Sequence, residues 1–483
     1  MAENLLPKPA NTKPANITII HPDLGIGGAE RLIIDVALAL RNTGHKVTVY
    51  TSHRDKSHCF EEARDGTLEV RVRGDKFFPP SIRGRFVVLL AILRQLCLTF
   101  ELLREAAQTE NENADQVFIV DQVPACVPLL KILGPRWFAS KGQQRILFYC
   151  HFPDQLLARR DGGSALLQLL KGLYRYPFDW FEGWAMSASD RVVANSNFTK
   201  SVVRSVFGVE RLGDVRVVYP CVDTAAKDKS EKEEGAIWEG KKILLSVNRF
   251  EKKKDLALAI RAYHGLGEKR KGVRLVVAGG YDPRITENVQ YHKELEALAT
   301  SLGLQTATSK TVPSALSIPS SIDVLFLPSV SSAFRDSLLT KSSLLLYTPV
   351  NEHFGIVPIE AMRAGIPVLA SNTGGPLETI IEGKTGWLRD ASDVPAWTSV
   401  IEKVLYQLGE DELQKISVAA KERVEAEFSL RAMGENLEGE IGEMLSSERR
   451  QFSGEQQALL LLGVLGVGFA VLVGLALAWV GFV

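Results

Sequence analysis

The feature that most constrains this chain is a strand-and-helix rhythm that runs twice. From Ile17, short apolar runs alternate with helical patterns; the rhythm breaks in Asp223–Gly240, a charged stretch without periodicity, and restarts at Ile243. Ile17–His21 reads as a strand and Gly25, Gly27 and Gly28 as a glycine-rich turn. Leu32, Ile33, Val36 and Leu40 mark the apolar face of a helix, which Gly44 ends before a second strand, Val47–Thr51. That is the β-loop-α-β unit of a doubly wound sheet. Val117–Val120 and Ile146–Cys150 continue it. Beyond the break, Ile243–Val247, Leu275–Ala278, Val324–Leu327, Leu344–Tyr347 and Pro367–Ala370 read as strands, with a helix starting at Asp255. The α/β fold expected is two doubly wound, Rossmann-like domains, 17–222 and 241–425, joined by a linker at 223–240. The crevice between two such domains is the natural ligand site. A polar segment precedes them at 1–16, and another, partly helical, follows at 426–457. Gln305–Ser321, rich in Ser, Thr and Pro, reads as a surface insertion.

At 483 residues the chain has room for two domains and more. Lys+Arg and Asp+Glu both number 57, so no global field steers nucleic acid, and no nucleic-acid partner is expected. The glycine turn is Gly-x-Gly-Gly rather than the six-position dinucleotide fingerprint, and Thr51-Ser52-His53-Arg54 offers no acidic residue for a ribose, which disfavours NAD. The five cysteines include no Cys-x-x-Cys and the eight histidines no His-x-x-x-His. Neither a disulfide framework nor a protein-bound metal is expected.

The first 16 residues lack the apolar core of a signal peptide, whereas no charge occurs from Ala458 to Val483. About 20 such residues cross a bilayer as a helix, so 458–480 is read as a single C-terminal transmembrane anchor. That leaves both domains in the cytosol and the sequons at Asn16 and Asn197 unused. Phe86–Phe100 is strongly apolar but contains Arg94 and Gln95, with Arg83, Arg85 and Arg104 around it. A buried helix of the first domain and a helix lying in the membrane surface both fit; the surface helix is favoured.

Tyr347–Met362, YTPVNEHFGIVPIEAM, sets Glu352 and Glu360 around Phe354, Gly355, Ile356 and Val357, with Pro358 just behind. Proline is tolerated in a first helical turn, so the stretch reads as a loop opening into a helix. First-turn amides beside a glycine suit an anion, most often phosphate. Carboxylates are poor phosphate ligands but good acceptors for sugar hydroxyls, and the two together describe a nucleotide sugar. The plainer alternative makes Glu360 a helix-dipole partner and Glu352 a solvated loop residue. Arg249 and Lys254 follow the strand Ile243–Val247, where two cations suit a departing diphosphate. His151 follows the strand Ile146–Cys150 and is placed to bond a sugar hydroxyl, or else is a structural loop histidine. No nucleophile elbow or Ser/His/Asp set occurs.

From about Ile17 to Glu427 these segments resemble family 4 of the retaining GT-B glycosyltransferases. Glu352 and Glu360 match its two glutamates separated by seven residues, Arg249 and Lys254 its basic pair, and Gly25, Gly27 and Gly28 its N-terminal glycine loop. The strings LGIGGAERLIIDVALAL, CHFPDQLLA, ANSNFTKSVV, VNRFEKKKDLALAI, YTPVNEHFGIVPIEAM and GGPLETI are similar to the eukaryotic α-1,3/α-1,6-mannosyltransferase family of dolichol-linked oligosaccharide assembly. The resemblance implies GDP-mannose as donor and dolichol-diphosphate-linked GlcNAc2Man as acceptor. It implies a place at the cytosolic face of the endoplasmic reticulum membrane, with other enzymes of the pathway as associates. By the same resemblance, Arg249 and Lys254 hold the donor diphosphate, Glu360 the ribose and Glu352 the transferred mannose. The amides of Phe354, Gly355, Ile356 and Val357, and those of Gly374 and Gly375, cradle phosphate and sugar. His151 faces donor sugar and acceptor, while Gly25, Gly27 and Gly28 admit phosphate or acceptor without Cβ clashes. Retention without a protein nucleophile implies same-face substitution, with no cofactor or metal. Two other readings stay open: a mannosyl- or glucosyltransferase acting on another membrane lipid, and a membrane-anchored GT-B scaffold without chemistry.

Overall fold

The computed structural model describes residues 13–75, 77–82, 86–107, 114–137, 142–157, 165–224, 238 and 240–450. They fall into two compact units: one runs to Pro220 and resumes at Leu430, the other is Cys221–Ser429. Most of the polar start, most of the linker 223–240 and the whole of the anchor 458–480 lie outside the described residues. No described helix is long and apolar enough to cross a membrane.

Unit one holds β1 (Asn16–Leu24), β2 (Lys46–Arg54), β3 (Glu69–Val72), β4 (Gln116–Asp121), β5 (Gln144–Cys150), β6 (Arg191–Ala194) and β7 (Val215–Val217). They form one sheet in the order β3-β2-β1-β4-β5-β6-β7, every neighbouring pair parallel. Helices cover both faces of such a sheet, so its inner strands are buried throughout, as β4 and β5 are. Unit two holds β8 (Lys242–Val247), β9 (Val273–Gly279), β10 (Thr306–Thr308), β11 (Val324–Pro328), β12 (Leu344–Tyr347), β13 (Val368–Ser371) and β14 (Gly386–Arg389). Their order is β10-β11-β9-β8-β12-β13-β14, again all parallel. In each sheet the winding reverses once, between β1 and β4 and between β8 and β12. Ligand sites of doubly wound sheets lie at the carboxyl ends of the strands flanking that reversal.

Three sequence expectations change. The apolar stretch 86–100 belongs to a helix, Val87–Ala106, whose Leu89, Ile92, Leu98, Leu102 and Leu103 are buried in unit one. Its apolar face is covered by the protein's own core rather than by a membrane surface. Arg94 and Gln95 are buried too, and bonded: Arg94 donates to both Asp23 oxygens at 3.0 and 2.6 Å, and Gln95 donates to the Val123 carbonyl at 2.6 Å. The Ser/Thr/Pro stretch 305–321 is no insertion, because it supplies β10, at the sheet edge, and the short helix Val312–Leu316. Within 426–457, the helix Leu430–Ser446 returns to unit one. Its Glu438 bonds buried His45, and Arg145 donates to the Met444 and Ser447 carbonyls at 3.0 and 2.8 Å, capping its carboxyl end.

Candidate active site

In unit two the candidate residues gather where the winding reverses. The loop after β8 crosses the end of β9: the Phe250 amide donates to the Gly280 carbonyl at 3.0 Å, and a Cβ on Gly279 would lie 2.0 Å from the Asn248 carbonyl oxygen. Only glycine permits that approach. A 3-10 turn, Lys252–Lys254, follows, and Asp255 then takes φ 41°. Lys254 is thereby turned inward and buried. The Thr348 hydroxyl, just past β12, donates to its carbonyl at 2.6 Å, and its ammonium bonds Glu352. Glu352 follows Asn351, another non-glycine residue in the left-handed region, with φ 54°. Burial works to raise the Glu352 carboxyl, but the Lys254 charge outweighs it and holds the group below the usual carboxylate range. The Tyr347 phenol is raised well above its usual value by burial and by the adjacent Glu352.

Gly355, with φ 84°, opens the helix Ile356–Arg363. The first N–H groups of that helix, those of Ile356 and Val357, have no carbonyl one turn back. Glu360 contrasts with Glu352. Burial pushes its carboxyl up, and Arg335, 3.2 Å from Oε1, only partly offsets this. Its Oε2 is buried and has no hydrogen-bond partner among the described residues.

Four expected ligand residues sit differently. Phe354 is buried against Phe428, ring centroids 5.9 Å apart, so it anchors the loop. A Cβ on Gly374, where φ is 69°, would lie 2.5 Å from the Glu352 carbonyl oxygen, and one on Gly375 would lie 2.0 Å from that of Phe354. The Gly375 amide already donates to the Glu352 carbonyl at 2.8 Å. These glycines hold the Glu352 loop by backbone contact, and the Gly375 amide is engaged rather than turned to a ligand. Arg249 does not join the Lys254–Glu352 pair; its exposed guanidinium lies 3.1 Å from Glu251.

In unit one, β1, β4 and β5 are neighbours, and a titratable residue stands in the carboxyl-terminal half of β1, at the end of β4 and directly after β5. His21 on β1 and Asp121, the last residue of β4, are fully buried, with His21 Nδ1 2.9 Å from both Asp121 oxygens. His151, directly after β5, places Nε2 2.9 Å from Asp121 Oδ2 and stays partly exposed. Gly25, Gly27 and Gly28 follow β1. Gly27 caps the helix Gly28–Asn42, and a Cβ on Gly25 or Gly28 would meet nothing within 4 Å. The backbone there faces open space, as one that admits a ligand must. His21, Asp121, Arg335 and Tyr347 were not singled out from the sequence. The signal available for the first two was a titratable side chain near the carboxyl end of a strand flanking the reversal. Among the described residues no group of three His, Cys, Asp or Glu is placed to hold a metal.

Comparison with known proteins agrees with this architecture. The family described as Glycosyltransferase Family 4 matches residues 26–226, and the family Glycosyl transferases group 1 matches 227–423. Over 470 residues the chain is 46% identical to the alpha-1,3/1,6-mannosyltransferase alg-2 of Neurospora crassa, covering 95% of each chain. It is 44% identical over 460 residues to the alpha-1,3/1,6-mannosyltransferase ALG2 of Saccharomyces cerevisiae, covering 91% of this chain and 87% of that one. Its fold is similar to that of a solved glycosyltransferase from Rickettsia africae, with a TM-score of 0.62 at 20% identity over 90% of this chain and all of that one. Anabaena HepE, solved with UDP and glucose, matches with a TM-score of 0.61 at 17% identity over 89% of this chain and all of that one. At such identity these two structures speak to the fold alone. The chain belongs to the α-1,3/1,6-mannosyltransferase family of GT-B glycosyltransferases.

Proposed function

We propose that this chain moves mannose from GDP-mannose to dolichol-diphosphate-linked GlcNAc2Man, forming one α-1,3 and one α-1,6 bond in early N-glycan precursor synthesis. Relatives named for those two linkages, alike over nearly the whole of both chains, support the reading. One observation in the molecule carries it: a partly buried lysine–glutamate pair stands beside a second carboxylate that keeps one buried, unpaired oxygen. A nucleotide sugar has a group for each. Its diphosphate meets the Lys254 ammonium and the first-turn amides of Ile356 and Val357. A ribose hydroxyl donates to Glu360 Oε2, removing the cost of leaving that buried oxygen unpaired, about 1–3 kcal/mol. Glu352 then accepts from mannose hydroxyls. Arg249 gives up its exposed contact with Glu251, worth at most about 1 kcal/mol, to reach the diphosphate.

The reaction needs no nucleophile from the protein. The bond from mannose C1 to the diphosphate oxygen breaks, and a bond from C1 to the acceptor hydroxyl forms on the same face. The hydroxyl proton passes to the leaving diphosphate. Arg249 and Lys254 stabilise the charge that develops there, and His151 bonds a hydroxyl of the reacting sugars. The two cations supply that stabilisation without a divalent metal. The uncharged stretch Ala458–Val483 anchors the chain at the cytosolic face of the endoplasmic reticulum, beside its lipid-borne acceptor.

The test is transfer from labelled GDP-mannose to synthetic phytanyl-diphosphate GlcNAc2Man, with the full chain in membranes and linkages mapped by mannosidases. Two added mannoses, one of each linkage, are expected. GDP-mannose binding without transfer would redirect the search to other lipid acceptors, and no binding at all would overturn the reading.

A further inference from the structure

The polar atoms at the unit-one reversal are matched in a way that fixes where protons sit. His21 Nε2 lies 3.1 Å from the Asp23 carbonyl oxygen, and Nδ1 lies 2.9 Å from both Asp121 carboxylate oxygens. Carbonyls and carboxylates only accept, so both ring nitrogens must donate, and a ring that donates twice is an imidazolium. Burial disfavours that charge. The charge and hydrogen bond of Asp121 outweigh burial, Glu30 adds to them, and His21 is held above the usual histidine range. Burial likewise works to raise Asp121, but His21 and His151 hold it below the usual range. The cation and anion thus cancel inside unit one.

Asp121 Oδ2 also accepts from His151 Nε2, at 2.9 Å. The proton of a neutral His151 is therefore on Nε2, and Nδ1, on the ring edge away from Asp121, is a bare acceptor. The surrounding chain braces this arrangement. Arg94 clamps Asp23, while Gln95 donates to the Val123 carbonyl and accepts from the Cys126 amide at 3.1 Å, pinning the loop after β4. Gln122, next to Asp121, is held at φ 57°, and strain in a non-glycine residue beside buried titratable groups marks a functional constraint.

We propose that His21 and Asp121 are positioning residues for His151: the buried imidazolium neutralises Asp121, which then orients His151 through Nε2–H without drawing a second proton onto it, so that Nδ1 accepts a hydrogen bond from a hydroxyl of the donor sugar or the acceptor. The inference rests on the reading of His151 as a substrate-facing residue. An uncompensated Asp121 favours the imidazolium of His151. A ring in that form only donates and cannot accept the hydroxyl. Besides Asp121, the charged groups near the cluster are Glu30, on the helix Gly28–Asn42, Asp23 paired with Arg94, and, just beyond His151, Glu182 with Asp154 and its partner Arg175.

His21→Gln keeps a donor toward Asp121 and removes the charge. Transfer is followed across pH with the full chain in membranes. The acidic limb of the kcat profile should move up by about one unit or more, giving about a tenfold loss below neutrality that recovers on the alkaline side. Adding Asp121→Asn removes the uncompensated anion and should return the limb toward its original place. A His21→Gln profile of wild-type shape, one lowered equally at every pH, or a double variant no better than the single overturns the proposal. If His21→Gln does not fold, nitrogen NMR of the histidine-labelled wild-type chain decides: one ring protonated on both nitrogens at neutral pH is expected, and a bare nitrogen on every ring overturns it. Full activity of His151→Asn at every pH would instead sink the reading of His151, a failure distinct from that of His21.

Discussion

At the unit-one reversal His21 and Asp121 are wholly buried, and each completes the other's hydrogen bonds. At the unit-two reversal Lys254 and Glu352 pair close to solvent, and Glu360 keeps a buried oxygen with no partner among the described residues. The two places share one device, a non-glycine residue held in the left-handed region: Gln122 after Asp121, Asp255 after Lys254, Asn351 before Glu352. Each such residue costs of order 1–3 kcal/mol, which the surrounding sheet must offset. The difference lies in what is left over. A buried polar network with every member satisfied is rigid, whereas a buried acceptor without a partner gains from any donor that reaches it. On the proposed reading, unit one orients a single side chain, His151, and unit two takes a ligand at its unpaired oxygen.

The hardest blow to that contrast is removal of the unit-two pair. Lys254→Ala or Glu352→Ala should lower kcat/KM for GDP-mannose by about 100-fold or more, the usual scale for one preorganised charge-stabilising group, while the chain still folds. Full activity in either variant breaks the site assignment. Chelation with EDTA should leave the wild-type rate within about twofold, because the cations here are side chains; a collapse that added divalent metal reverses would end the metal-free reading.

Glycines come next. Gly374→Ala puts a Cβ against the Glu352 carbonyl at a backbone φ of 69°. The loop should shift, with a loss of about 1–3 kcal/mol of stability. Transfer should fall by up to about 100-fold through a displaced Glu352. Gly25→Ala meets open space instead, so its stability should change by no more than about 0.5 kcal/mol. Any loss of transfer in Gly25→Ala then reports a ligand at that turn, and equal destabilisation of the two variants, read by thermal unfolding, would erase the distinction.

Glu360→Gln tests the unpaired oxygen itself. An amide keeps an acceptor for ribose but relieves a buried carboxyl that burial has pushed up. The folded chain should be no less stable. KM for GDP-mannose should rise by about tenfold, the loss of one charge-assisted hydrogen bond of roughly 1.5 kcal/mol. An unchanged KM would move the ribose elsewhere.

How much of this was legible in the sequence follows from sheet geometry. Inner parallel strands are buried on both faces, so β4, β5, β9 and β11 appear as apolar runs. The strands that escaped, β3, β6, β7, β10 and β14, have three or four residues each and, unlike the equally short β12 and β13, are not buried from end to end, so they show no apolar run. Glu352 and Glu360 could be found because one loop and one helical turn carry both. His21 and Asp121 could not be paired that way: they are 100 residues apart, and only the placing of β1 beside β4 makes them neighbours. The basic flanks Arg83, Arg85 and Arg104, with Arg94 and Gln95 inside the run, made an apolar helix look like a membrane-surface one; Arg94 and Gln95 are in fact buried. Their partners Asp23 and Val123 lie on distant strands and loops, which no local pattern shows.

The last test belongs to unit one, acts on stability rather than on transfer, and separates its finished network from a neighbour that is not charge-balanced. Glu182 accepts from the Asp154 and Gln155 amides at 2.7 and 3.2 Å, just beyond His151. Burial, reinforced by the charge of Asp154, raises its carboxyl from 4.5 to about 7 despite those amides and Arg175. A carboxyl whose folded value is raised keeps its proton longer in the folded chain than in the unfolded one. Its contribution to stability is therefore complete below pH 4.5 and is lost as the pH rises through about 7. The full swing is of order 3 kcal/mol. Glu182→Gln cannot ionise, so the change in unfolding midpoint between pH 5 and 8 should be less unfavourable in the variant than in the wild type. His21 titrates in the same direction in both chains and cancels in that difference. Identical shifts in the two chains would mean that Glu182 is ionised throughout, and that the capped turn Asp154–Leu157 is as well balanced as the His21–Asp121 pair beside it.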